Sequence, residues 1–263
     1  MKVQFTWVGG ATAIIRVDDL TIATDPCLAP AGTKQDYTWF GTVRKSDPIF
    51  TPNAFDDVDL WLITHGHEDH LDEKGLAVIR PEAVVVADAT AQKMLETSGA
   101  GDLRVLATGE GVKLERRDFS ISVEAIPMVH GVLPPVAMLA GSGNGYWVEI
   151  AGNGSTFVFY LTGDTVPHRR VKRAIAGKTC DLFIPYIGEA RVGRGLKASL
   201  MGALTMNVSM MERLKQLVSH KVTVPIHYGT FSHYAEPTEA VRAVISTGTT
   251  LLEPGETVEL PIS

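Results

Sequence analysis

The sequence predicts an α/β fold in which two β-sheets pack against each other with helices outside. Short apolar runs rich in β-branched residues recur along the chain, and helical patterns are fewer. The order of elements before residue 110, hairpin strands and then strand–helix alternation, is repeated after it. With 263 residues, 45% hydrophobic and 21% charged, the chain can bury a sizeable core. It is read as a single domain spanning 1–263.

The strand series opens with VQFTWV, ATAIIRV, LTIATD and LWLIT. It continues through AVVVA, LRVLA, FSISVEAIP, GYWVEI and STFVFYLT, and ends with DLFIPY and KVTVPIHY. Most runs are bounded by Gly, Pro, Asp or Asn, which turn the chain. The nearly continuous AVVVA and FVFYL predict strands buried on both faces. Helices are predicted over 71–79, over 90–98 with Thr90 as cap, and over 167–176 with Pro167 at the first position. Two more are predicted over 199–218 and 237–246. Residues 26–57 predict a long connection without regular structure; loops of that length tend to be functional, which favours a wall of the active site as much as a packed surface excursion.

Composition excludes several function classes. A net charge of −6 and a pI near 5.7 argue against broad binding to a nucleic-acid backbone, which needs a basic footprint. No apolar run approaches the about 18 residues of a membrane span, and MKVQFTWVGG lacks the apolar stretch of a signal peptide. Membrane insertion is therefore not expected. Cys27 and Cys180 stand far apart with no CxxC pair, so neither a disulfide framework nor a thiolate metal site is indicated. A cytoplasmic protein with a small-molecule substrate is expected, with homo-oligomerisation left open.

The chemistry concentrates in THGHEDHLD, Thr64 to Asp72, directly after the apolar run DLWLIT. On a strand end, His65 and His67 project to one side because the side-chain period is two. Asp69 and His70 can point back toward the same space as the chain turns into a helix. One ion with an open position does not accommodate all four comfortably; two ions do, with His65 and His67 on one and Asp69 and His70 on the other. Imidazole and carboxylate donors suit Zn²⁺ first, with Mn²⁺ or Fe²⁺ as alternatives. Further ligands should come from other strand ends. His130 follows ISVEAIPMV, Asp164 follows FVFYLTG and His227 follows KVTVPI, each at the close of an apolar run.

H-x-H-x-D-H, MVHG, LTGDT and PIHYG, in this order, resemble the metallo-β-lactamase superfamily. The opening WVGGATAIIRVDDLTIATDP resembles that superfamily's first hairpins, so the similarity covers nearly the whole chain. The resemblance implies an αββα sandwich. It also implies His65, His67 and His130 on one metal, Asp69, His70 and His227 on the other, and Asp164 bridging both. VPIHYGTF and LTMN look most like the L-ascorbate-6-phosphate lactonase-type hydrolases, with N-acyl-phosphatidylethanolamine phospholipase D-like members as a second match. Many of these relatives carry Gly-His-Ala where this chain has Gly9-Gly10-Ala11.

Two divalent ions would supply hydroxide at neutral pH for attack on a carbonyl or phosphoryl centre. Asp69 is the candidate to orient that nucleophile and accept its proton. Asp25 and Asp72 are candidates to fix imidazole tautomers from outside the ligand set, and a helix-start role is equally open to Asp72. RVGRGLK places Arg191, Arg194 and Lys197 among glycines, where they could grip an anionic substrate. Tyr186, Tyr228 and His233 are further candidates for pocket contacts. A lactone or phosphorylated compound is the leading substrate class, and a phosphodiesterase or phospholipase D-like activity is the alternative. A redox di-iron protein and a catalytically silent binding protein are the non-hydrolytic alternatives.

Overall fold

The computed structural model describes residues 1–37, 40–192, 201–245 and 248–261. Arg194 and Lys197 lie outside them. The first half opens with antiparallel strands β1 (Val3–Gly9), β2 (Thr12–Val17) and β3 (Leu20–Thr24). Then β6 (Leu60–Ile63), β7 (Val84–Ala87) and β8 (Asp102–Val105) add on in parallel, with helices α1 (Glu73–Leu76) and α2 (Gln92–Ser98) between them. The second half repeats that plan. Strands β9 (Gly111–Arg116), β10 (Phe119–Pro127), β11 (Asn144–Gly152) and β12 (Ser155–Leu161) are antiparallel, with α3 (Pro134–Ala140) between β10 and β11. Helix α4 (Arg169–Ile175), β13 (Thr179–Ile184), α5 (Val208–Lys215) and β14 (Ser219–Thr223) follow, and the two strands extend the sheet in parallel. After α6 (Thr238–Val244), β15 (Thr257–Glu259) returns to pair with β1.

The sheets run β15-β1-β2-β3-β6-β7-β8 and β14-β13-β12-β11-β10-β9. Strand alternation explains how they pack. In β6 and β7, Leu60, Leu62, Val84 and Val86 join the large core with Ile121, Val123, Val148 and Phe159 of the facing sheet. The intervening Trp61, Ile63, Val85 and Ala87 join a second core with Leu71, Ala91 and Leu95 beneath the first-half helices. Both faces of these strands are buried, as continuous apolar runs require. On the other outer face, Val171 and Ile175 of α4 and Val208, Met211 and Leu214 of α5 complete the large core.

Several elements differ from the sequence reading. The connection over 26–57 contains a small hairpin, β4 (Lys34–Tyr37) and β5 (Phe40–Val43). These strands are polar and short, and they carry little apolar alternation. Helix α3 begins with a Pro-Pro pair, which reads as a breaker although proline suits the first helical positions. The helix predicted over 199–218 is described as Val208–Lys215, because the Asn207 side chain accepts from Met210 N and starts it there. Thr90 does not cap α2; its hydroxyl accepts from Gly66 N, next to the histidine cluster.

Candidate metal centre

Strand β6 ends at Ile63 and delivers Thr64 and His65 into the interior, where both are buried. Asp25, just beyond β3, is fully buried and adopts a left-handed backbone with φ 32°. A non-glycine residue held there costs on the order of 1–3 kcal/mol, so surrounding contacts must impose it. Its carboxylate accepts from Thr64 N at 2.7 Å, Thr64 Oγ1 at 2.8 Å, Tyr186 Oη at 2.9 Å and His70 Nδ1 at 3.0 Å. The Thr64 hydrogen is committed to Asp25, so Thr64 Oγ1 is an acceptor for His65 Nδ1 at 3.0 Å. Asp25 thus fixes the tautomers of His70 directly and His65 through Thr64. In His65 Nε2 is left as a lone pair, and in His70 Nε2 is the nitrogen left to face the ligand cluster, where a proton or a cation can sit.

The same logic applies at the second sheet. His227, with φ 68°, donates from Nδ1 to the Ile187 carbonyl at 3.3 Å and so carries no proton on Nε2, which the Tyr234 hydroxyl approaches. That nitrogen lies 3.1 Å from His70 Nε2. Two lone pairs at this separation repel unless a proton or a cation lies between them. His65 Nε2 and His67 Nδ1 approach within 2.9 Å. Two groups of ligand-capable atoms result, His65 with His67 and His130, and Asp69 with His70, Asp164 and His227, each group lying within 4.8 Å. Asp164 stands between them, with Oδ2 3.5 Å from His130 Nε2 and 3.4 Å from His70 Nε2. Its Oδ1 is 3.4 Å from His227 Nε2 and has no hydrogen-bond partner among the described residues. A buried carboxylate oxygen without a donor, beside facing imidazole lone pairs, fits a set of donors for divalent cations.

Electrostatics point the same way. Burial lowers His65 well below its usual range and lowers His130 to about 3, so both rings are neutral and can act as ligands. Burial would raise Asp164, but His227, His70 and His130 outweigh it and keep the carboxyl ionised. For His70 burial is overcome by Asp164, Asp69 and Asp25, which raise it well above the ordinary value.

Residues 21–228 match the beta-lactamase superfamily domain. The chain belongs to that family. A metal-dependent hydrolase from Aeropyrum pernix is 29% identical, the alignment covering 99% of this chain and 98% of the relative. The N-acyl-phosphatidylethanolamine-hydrolyzing phospholipase D 1 of Caenorhabditis elegans is 22% identical over 91% of this chain and 69% of its own. A solved structure of a possible metal-dependent hydrolase from Veillonella parvula superposes with a TM-score of 0.78 at 23% identity, covering 98% and 99% of the two chains. The two layers of sheet with outer helices are the metallo-β-lactamase αββα sandwich.

Within this superfamily fold, the other residues singled out from the sequence separate by location. Tyr186 is fully buried, and its hydroxyl is shared between Asp25 and the Ala11 carbonyl, behind His70 rather than in open space. Tyr228 stacks on Trp7 at 4.7 Å and donates to Leu252 O, away from the histidines. Asp72 caps α1 through Gly75 N and also accepts from Ala29 N and the Cys27 thiol; it starts the helix and, among the described residues, orients no imidazole. Glu68 is exposed, with its carbonyl taken by Gln35. Arg191 lies close by, its N–H bonded to His233 O and its guanidinium to Glu189. His233 reaches the centre, with Nε2 3.3 Å from Asp69 Oδ2. Tyr234 was not singled out from the sequence, yet its hydroxyl is 2.7 Å from His227 Nε2. The aromatic after His233 in FSHY carried no spacing signal by itself.

Proposed function

We propose that the chain is a metal-dependent hydrolase that cleaves a small anionic substrate at a carbonyl or phosphoryl centre. The observation that carries this reading is the pair of facing donor groups with Asp164 between them. His65, His67 and His130 would hold one ion, Asp69, His70 and His227 the other, and Asp164 both. Zn²⁺ is favoured by the imidazole-rich set, with Mn²⁺ or Fe²⁺ as alternatives. When bound, two such ions supply Lewis acidity and a water acidified toward neutral pH.

The chain's own groups then have distinct tasks. Asp69 faces His227 at 3.7 Å and His233 at 3.3 Å, which suits it to orient the attacking water and take its proton. Arg191 stands beside the His233 segment and could hold an anionic substituent, at the expense of its bond to Glu189. The sequence features shared with ascorbate-6-phosphate lactonase-type hydrolases favour a lactone or phosphorylated compound. Purified protein should contain divalent metal and lose hydrolysis of a lactone panel after chelation; metal-free protein with chelator-insensitive activity would overturn the proposal.

A second reading, a phospholipase D-like phosphodiesterase, is favoured by the surface next to His130. Val132, Leu133, Met138 and Leu139 are 43%, 41%, 79% and 55% exposed, an apolar rim suited to a substrate with an apolar tail. Turnover of long-chain phosphodiesters in preference to lactones by the same preparation would decide for it.

A further inference from the structure

The segment after His227 is fastened to the β4–β5 hairpin by a short ladder. Lys45 N donates to Thr230 O at 2.7 Å, Arg44 bridges Phe231, and Ser232 N donates to Val43 O at 2.9 Å. Within this ladder lies a chain of side-chain hydrogen bonds whose direction can be worked out. Asp69 Oδ2, an acceptor, faces His233 Nε2 at 3.3 Å, so the proton belongs on Nε2. His233 Nδ1 is then an acceptor, and Thr42 Oγ1, 2.7 Å away, is the donor to it. With its own hydrogen spent, Thr42 Oγ1 accepts from Ser232 Oγ at 3.1 Å, and Ser232 Oγ accepts in turn from Val43 N at 2.9 Å. Within this chain of bonds no hydrogen is used twice. Thr42 is 1% exposed, so water does not substitute for it.

We infer that Thr42 is a positioning residue of the hydrolytic site: its hydroxyl, by donating to Nδ1, supports the His233 Nε2–H tautomer that faces Asp69, and that N–H holds the Asp69 carboxylate in its working orientation. Thr42 touches neither substrate nor ligand set and acts only through His233. The hairpin thereby becomes part of the site, although among the described residues it contributes no ligand-capable atom to either donor group. The inference rests on the hydrolase reading for its kinetic consequence, but the tautomer itself is independent of that reading.

The experiment is nitrogen NMR of the histidine rings in zinc-loaded full-length protein labelled with ¹⁵N-histidine, with the His233 signals assigned from His233→Gln. The wild type should show His233 protonated at Nε2 and bare at Nδ1. Thr42→Val, which keeps the shape and removes the hydroxyl, should bring the Nδ1–H form into the spectrum, and Thr42→Ser should restore the wild-type pattern. In parallel, hydrolysis of a chromogenic phosphodiester or lactone by Thr42→Val should lose about tenfold in kcat with KM little changed, and Thr42→Ser should recover it. A proton on Nδ1 in the wild type, or a tautomer unaffected by Thr42→Val, overturns the inference. A tautomer that responds with no change in kcat overturns the positioning role. Absence of hydrolysis in every variant, wild type included, counts against the hydrolase reading and leaves the tautomer result to be judged by NMR.

Discussion

Removing the Asp25 carboxyl is expected to strand the Thr64 amide and hydroxyl and to leave His70 Nδ1–H only the longer contact to Thr64 Oγ1, while Tyr186 keeps the Ala11 carbonyl. Each unsatisfied buried donor costs about 1–3 kcal/mol, and alanine tolerates the left-handed backbone poorly. Asp25→Ala should therefore lower stability by about 3 kcal/mol or more in denaturant titrations. Its zinc affinity, measured by competition with a chelator, should fall by about 10–100-fold because two imidazoles lose their orientation. His70 gives a second test. Burial alone would lower its pKa; the attraction of Asp164, Asp69 and Asp25 more than reverses that and favours a proton on the metal-free ring. An ion entering there must expel a proton, so affinity falls as pH drops. Calorimetry in buffers of different ionisation enthalpy should report about one proton released from this cluster, and none from it in His70→Ala.

Among the elements, the turn from β6 into α1 illustrates what a sequence can and cannot disclose. The ligand-capable residues were legible because each ends an apolar run: His65 after β6, Asp164 after β12 and His227 after β14. Their supports were legible only in part: Asp25 was a candidate from the sequence and Thr64 was not, and only the pairing of β3 with β6 brings the two within hydrogen-bond reach. The hairpin was hidden because KQDY and FGTV lack apolar periodicity, and its strands are held by pairing with each other and by bonds to the segment 230–232. Gly66 belongs to this scale also. A Cβ there would lie 2.6 Å from the Thr90 carbonyl oxygen, so a backbone shift must follow any side chain. Gly66→Ala should displace His65 and His67 and reduce metal stoichiometry at the first donor group, as read by elemental analysis. Asp72→Ala should behave differently. Loss of the α1 cap should lower stability by about 1–2 kcal/mol while metal content at saturation stays at the wild-type level.

At the scale of the whole molecule, two similar halves forming packed sheets were legible from the repeated hairpin-then-alternation pattern, and the strand order found in each sheet explains where the centre forms. Both halves finish with parallel strands, and the chain leaving their carboxyl ends supplies Thr64 to His70 from one sheet and Asp164 and His227 from the other. An ion held by both layers binds the folded chain and not the unfolded one. Thermal melting should therefore shift upward with added zinc, by the equivalent of about 2.7 kcal/mol at a hundred times the dissociation constant. Chelation should reverse the shift.

The shared Thr64 hydroxyl has one more consequence. It lies 3.0 Å from His65 Nδ1 and 3.3 Å from His70 Nδ1, and those rings belong to different donor groups. If each group takes an ion, occupancy at one would stiffen a hinge common to both, and loading is then expected to be cooperative. A coupling of about 1–3 kcal/mol is the usual size of such linkage. Under scarce metal the population would then divide into empty and fully charged molecules, with few half-filled ones. Native mass spectrometry during a zinc titration should display that division, and Thr64→Val should blur it into stepwise filling.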